Sequence, residues 1–77
     1  MITSHVESSN VRRVGWDNGK LFVEFNSGQV YAYSGVPFET YEEVISAPSV
    51  GRFINQEIKA KFTVEGPLDA NPFLATA

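Results

Sequence analysis

The stretch 11–34, VRRVGWDNGKLFVEFNSGQVYAYS, decides the fold. Three short segments rich in Val, Phe, Tyr and Trp alternate with two clusters of turn residues, Asp17-Asn18-Gly19 and Asn26-Ser27-Gly28. Apolar runs bounded in this way read as the strands of an antiparallel meander, here 11–16, 20–25 and 29–34. Asn18-Gly19 is the preferred pair for a two-residue type I′ turn, because both central positions need positive φ. That turn sets Lys20 against Asp17, Leu21 against Trp16 and Val23 against Val14, and it brings Arg13 opposite Glu24 as a cross-strand charge pair. A three-residue Asn26-Ser27-Gly28 loop, with Gly28 left-handed, then sets Phe25 against Gln29, Val23 against Tyr31 and Leu21 against Tyr33. One face carries Val14, Trp16, Leu21, Val23, Phe25, Tyr31 and Tyr33, and the other carries Arg13, Gly15, Phe22, Glu24, Val30 and Ala32. The first set is uniformly large and apolar and is the expected core face. The alternative is a two-residue Ser27-Gly28 turn, which moves both tyrosines to the opposite face because side chains alternate with period two.

Outward from this meander the pattern changes. Gly35-Val36-Pro37 ends the strand period, and Pro37 suits a first helical position, where a missing N–H costs nothing. Phe38, Tyr41, Val44 and Ile45 recur at helical spacing, with Glu39, Glu42 and Glu43 early in the helix, on the side its dipole favours. Ala47-Pro48 stops this helix, and Ser49 is a good N-cap for a second, with Val50, Phe53, Ile54 and Ile58 as its apolar stripe. Residues 60–64 read as a fourth strand or as a segment packed across the core. The expected architecture is α+β, a three- to four-stranded antiparallel meander sheet with two short helices packed on one face. Residues 1–9 are read as a flexible N-terminus, 10–64 as the domain and 65–77 as an irregular tail.

The ordered set of short motifs resembles the KTSC domain family, which is named for its occurrence at the C-terminus of some lysyl-tRNA synthetases and also occurs as a stand-alone small protein in bacteria and phages. The likeness runs over residues 9–62: Gly15-Trp16-Asp17, then Leu21-Phe22-Val23-Glu24-Phe25 before a glycine-bearing turn, then Tyr31-Ala32-Tyr33, then Val36-Pro37, and last Ser49-Val50-Gly51-Arg52-Phe53-Ile54-Asn55 leading to Ile58 and Lys61. Tyr31 and Tyr33 stand at the family's tyrosine–any–tyrosine motif. Two departures each remove positive charge: Ala32 stands where the family often has a basic residue, and Gln56-Glu57 follow Asn55 where it often continues with basic ones. The resemblance implies a small recognition domain with a suggested RNA-binding role.

Composition bounds the function. The chain has 77 residues, 43% of them hydrophobic and 13% aromatic, enough for one efficient core and no more. Its net charge of −3 gives no global pull toward phosphate backbones, so a nucleic-acid role must rest on a local basic patch. The absence of cysteine removes disulfides, thiolate chemistry and cysteine-ligated metals. His5 is the single histidine, and no metal-ligand spacing, phosphate loop or catalytic constellation is present, so no cofactor and no enzymatic activity is expected. No basic-then-apolar leader or membrane-length apolar run appears, which makes the cytoplasm the expected location.

The partner is open between RNA and another protein, with the chain a monomer or a weak homodimer. For nucleic acid the candidates are Arg52, Asn55, Lys59 and Lys61, since helical spacing puts Arg52 and Lys59, seven apart, on one face. The plain reading of these residues is a solvated helix face, with Asn55 capping a neighbouring turn. For a protein partner the candidate surface is Phe22, Val30 and Ala32 on the sheet face opposite the helices, unless the N-terminal residues or the tail fold over it. Pro72, Phe73 and Leu74 read as part of a disordered terminus, or else as a docking peptide or flap. Tyr31 and Tyr33 would suit a base-stacking platform, but the register sets them beneath the helices, as core.

Overall fold

In the computed structural model, which describes residues 1–6 and 8–74, both tight turns are left-handed where the sequence demands it. Asn18 and Gly19 have φ of 51° and 83°, and Gly28 has φ of 98°. Three strands follow from these turns: β2 (Val11–Asp17), β3 (Lys20–Phe25) and β4 (Val30–Ser34). The pairings are the expected ones, with Asp17 opposite Lys20, Trp16 opposite Leu21, Arg13 opposite Glu24, and Leu21 and Val23 opposite Tyr33 and Tyr31. The Phe25 N–H donates to the Gln29 carbonyl across the second loop at 2.9 Å, which closes the three-residue form and rules out the two-residue alternative. A bulge between Val11 and Arg13 leaves Arg12 exposed and returns Val11 to the core face opposite Phe25.

The helices cover that face. Helix α1 (Phe38–Ser46) starts one residue later than expected, with Pro37 as its cap. Helix α2 (Val50–Phe53) has Ser49 at its cap position without a side-chain bond, and it runs on into a π-helical turn (Ile54–Ile58). Val11, Val14, Leu21, Val23, Tyr33, Val36, Tyr41, Val44, Val50, Ile54 and Ile58 form one buried cluster. The Trp16 indole N–H donates to the Val36 carbonyl at 2.8 Å, which ties β2 to the connection before α1.

Two expectations are corrected at the chain ends. The stretch read as a flexible N-terminus forms β1 (Ile2–His5), paired with β2 from Ile2 opposite Trp16 to His5 opposite Arg13. Its anchor is a 2.7 Å hydrogen bond between the Ser4 and Tyr41 hydroxyls, a long-range contact that a polar segment does not advertise. At the other end β5 (Thr63–Glu65) pairs with β4, so the described residues form five strands in the order β1-β2-β3-β4-β5. Every residue of β5 is exposed, which left no burial pattern to read.

The second correction concerns the tail and the sheet face it covers. The Leu68 N–H donates to the Val30 carbonyl at 2.8 Å, and the segment then crosses the face expected to be open. A side chain at Gly15 would place its Cβ 2.8 Å from the Met1 sulfur and 3.0 Å from the Phe73 ring, so both termini converge on that glycine. Val30 and Ala32 are each only 2% exposed and Phe22 is half-buried, which removes the proposed protein-docking patch from the surface. Residues 75–77 of the expected tail lie outside the described residues.

The tail is held through Glu24, the one charged side chain buried among the described residues. Its carboxylate accepts from the Arg13 Nε and, at 2.6 Å, from the Asn71 amide, while the Asn71 Oδ1 accepts from the Phe73 N–H at 2.9 Å. The Arg13 guanidinium lies 4.8 Å from the centre of the Phe73 ring. Burial by itself raises the Glu24 carboxyl, but the hydrogen bonds from Arg13 and Asn71 and the charges of Arg13 and Arg12 outweigh it and hold the group below its ordinary value of 4.5.

Two outcomes follow from this arrangement. Phe73→Ala should lower the urea-derived unfolding free energy by about 3 kcal/mol, while Leu74→Ala next to it, 69% exposed, should cost less than about 0.5 kcal/mol. Equal, small losses would mean that the tail is not packed on the sheet. Glu24 is favoured as the carboxylate in the folded chain, so its contribution is present above pH 4.5 and lost as pH falls through its lower folded value. The wild-type stability advantage over Glu24→Gln should therefore shrink between pH 4.5 and more acid conditions; an advantage constant with pH would contradict the pairing.

Candidate functional site

A concavity lies on the helix side of the sheet, where β3 and β4 meet the loop that joins them. It is an open cleft of about 770 Å³. One wall is aromatic, made by Phe25, Tyr31 and Tyr33. Phe25 and Tyr31 meet edge to face with ring centres 5.6 Å apart, and both are half-buried. Tyr33 is only 1% exposed. Burial, and then the neighbouring Tyr31, push its phenol above the ordinary value of 10.0.

The opposite wall comes from the π-helical turn, which contributes Asn55 and Lys59. The Lys59 N–H bonds the Ile54 carbonyl at 2.9 Å, five residues back, and this wider winding changes which side chains share a face. Asn10, Asn26, Ser27 and Gln29 close one end, and Val64 of β5 lies at the rim. The closed end is built by hydrogen bonds between two loops. The Asn26 N–H donates to the Asn10 carbonyl at 2.8 Å, and the Asn26 side-chain amide donates to the Ser9 carbonyl at 3.0 Å. The Arg12 guanidinium reaches the Asn26 carbonyl at 3.2 Å, which sets a cation beside this end.

The four residues read from the sequence as one basic group are divided. Asn55 and Lys59 line the cleft together. Arg52 lines a separate shallow hollow with Pro48, Phe53 and Gln56, because the π turn rotates Lys59 away from it. Lys61 is paired with Glu57 at 3.1 Å, an exposed i,i+4 contact of little energetic weight. Tyr33 is core, as its register implied, while Tyr31 contributes to the cleft as well as packing against the core. Sequence reading missed the amide-bearing end at Asn10, Asn26 and Gln29. The signal is the turn asparagine itself, whose side chain can bond a neighbouring backbone as well as favour the turn. Lys59 is the one charged residue in the lining, and it has no carboxylate partner among the described residues. No helix among the described residues is long and apolar enough to cross a membrane.

Comparison with known proteins agrees with this architecture. The KTSC domain family model matches residues 7–62. A crystal structure of a KTSC domain protein from Yersinia pestis superposes with a TM-score of 0.76 at 35% identity, covering 82% of this chain and 92% of that one. A protein of Tsukamurella paurometabola is 37% identical over 59 residues, or 74% of this chain and 88% of its own length. The lysine–tRNA ligase of Trichormus variabilis is 47% identical over 45 residues, which is 58% of this chain but 8% of the ligase. With its five-stranded sheet, its paired tyrosines and a family match that spans most of its length, the chain belongs to the KTSC domain family.

Proposed function

We propose that this chain is a binding module, not an enzyme, and that its cleft takes unpaired RNA. The observation that carries the reading is the juxtaposition of two half-buried rings, Phe25 and Tyr31, with a cation, Lys59, that has no carboxylate partner among the described residues, across a cleft edged by carboxamides. Aromatic faces stack on unpaired bases of any sequence, and a lysine serves a phosphate. Support also comes from the lysine–tRNA ligases, which carry a segment similar to this chain. A net charge of −3 supplies no long-range attraction, so affinity rests on this local set and falls as salt rises. Duplex RNA hides its base faces and cannot use the aromatic wall.

The test separates the cleft from the rest of the basic residues. With a labelled unstructured RNA at low salt, fluorescence anisotropy should show wild-type binding that weakens about tenfold in Asn55→Ala/Lys59→Gln. Arg52→Gln/Lys61→Gln should stay within about twofold of wild type. Absence of wild-type binding, or a loss confined to the second pair, would refute this function.

A further inference from the structure

Resting on the RNA reading of the cleft, we infer that it holds one unpaired nucleotide through a single phosphate and does not follow a strand. A groove that tracks single-stranded nucleic acid needs cations repeated along the backbone path. Among the described residues the lining has one, Lys59. Arg12 does not line the cleft and bonds the Asn26 carbonyl beside its closed end, Arg52 sits in another hollow and Lys61 is paired with Glu57. The volume of about 770 Å³ is that of a site for one small-molecule-sized group.

The remaining chemistry fits the base of that nucleotide. Among the described residues the side-chain amides of Asn10, Gln29 and Asn55 make no protein hydrogen bond, although all three border the cleft. Each offers a donor and an acceptor, the combination that pairs with the edge of a base and with adenine in bidentate fashion. Asn26 is excluded from this role because its amide is committed to the Ser9 carbonyl. Base on the aromatic wall, edge toward the free amides and phosphate at Lys59 is one consistent placement. The same unit could be a free nucleoside monophosphate or an unpaired residue of an RNA, and the experiment distinguishes these sources.

The full chain is titrated, with ¹⁵N spectra as readout, against adenosine 5′-monophosphate, adenosine, a blunt RNA hairpin and the same hairpin with one unpaired 3′ adenosine. The monophosphate should shift the amide signals of Asn10, Gln29 and Asn55, and adenosine should bind about tenfold more weakly. Lys59→Gln, at an exposed site, should abolish that difference. For the hairpin with the overhang, log K against log salt should have a slope of about −0.7, the value for one phosphate on a single strand, and the blunt hairpin should not bind at the cleft. A slope of −2 or steeper, equal binding of adenosine and its monophosphate, or equal binding of the two hairpins would overturn the inference. If long unpaired RNA binds but the monophosphate and the single overhang do not, the RNA reading stands and the one-nucleotide inference falls. If the monophosphate binds in the cleft and the overhang adds nothing, the one-nucleotide site stands and the RNA reading falls.

Discussion

Leu21 faces Tyr33 and Val23 faces Tyr31 because two short loops, turning through left-handed residues at Asn18-Gly19 and Gly28, leave no other pairing open to β3. Side chains in a strand alternate with period two, so a slip of one residue would invert the sheet. With β3 turned over against its neighbours, Leu21 and Val23 would leave the core and the charge of Glu24 would enter it. Burying that carboxylate beneath the helices, away from Arg13, would cost more than a domain of this size can supply. The register therefore settles which face receives α1 and α2, and every later feature is arranged around that choice.

The cleft is a consequence of where helical cover ends. Val14, Leu21 and Val23 lie fully beneath α1 and α2, but Phe25 and Tyr31, near the β3–β4 loop, are only partly covered. The element facing them is the π-helical turn, which holds Ile54 and Ile58 in the core while directing Asn55 and Lys59 to the gap. Apolar anchoring and polar presentation thus come from the same short segment, residues 54–59. Asn26, the first residue after β3, then fastens the loop at 26–28 to the segment before β2, and this gives the cleft a built end.

The reverse face shows how a small domain recovers burial. Two short terminal segments close over a face that alternation alone would leave half-hydrated. Glu24 is the cost and the means of that closure. A carboxylate there is tolerable only with Arg13 and Asn71 both bonded to it, and the same bonds position Phe73. A surface that looked suitable for a partner is occupied instead by the chain itself.

What the amino-acid order determined alone is local. Asn18-Gly19 and Gly28 specify their turns through backbone sterics, the alternation from Val14 to Tyr33 specifies the core face, and Pro37 and Ser49 mark the two helix starts to within a residue. The family likeness is legible in the same motifs. Tertiary structure decided the rest. Ile2–His5 and Thr63–Glu65 become strands only because β2 and β4 offer unpaired edges, and neither segment has a burial pattern of its own to announce it. The π turn keeps Ile54 and Ile58 buried while Arg52 and Lys59 line different hollows, so spacing counted in α-helical turns does not hold at that site. Turns and periodicity are written within a few residues of each other, whereas edge pairing, helix winding and the path of the tail depend on contacts from chain tens of residues away.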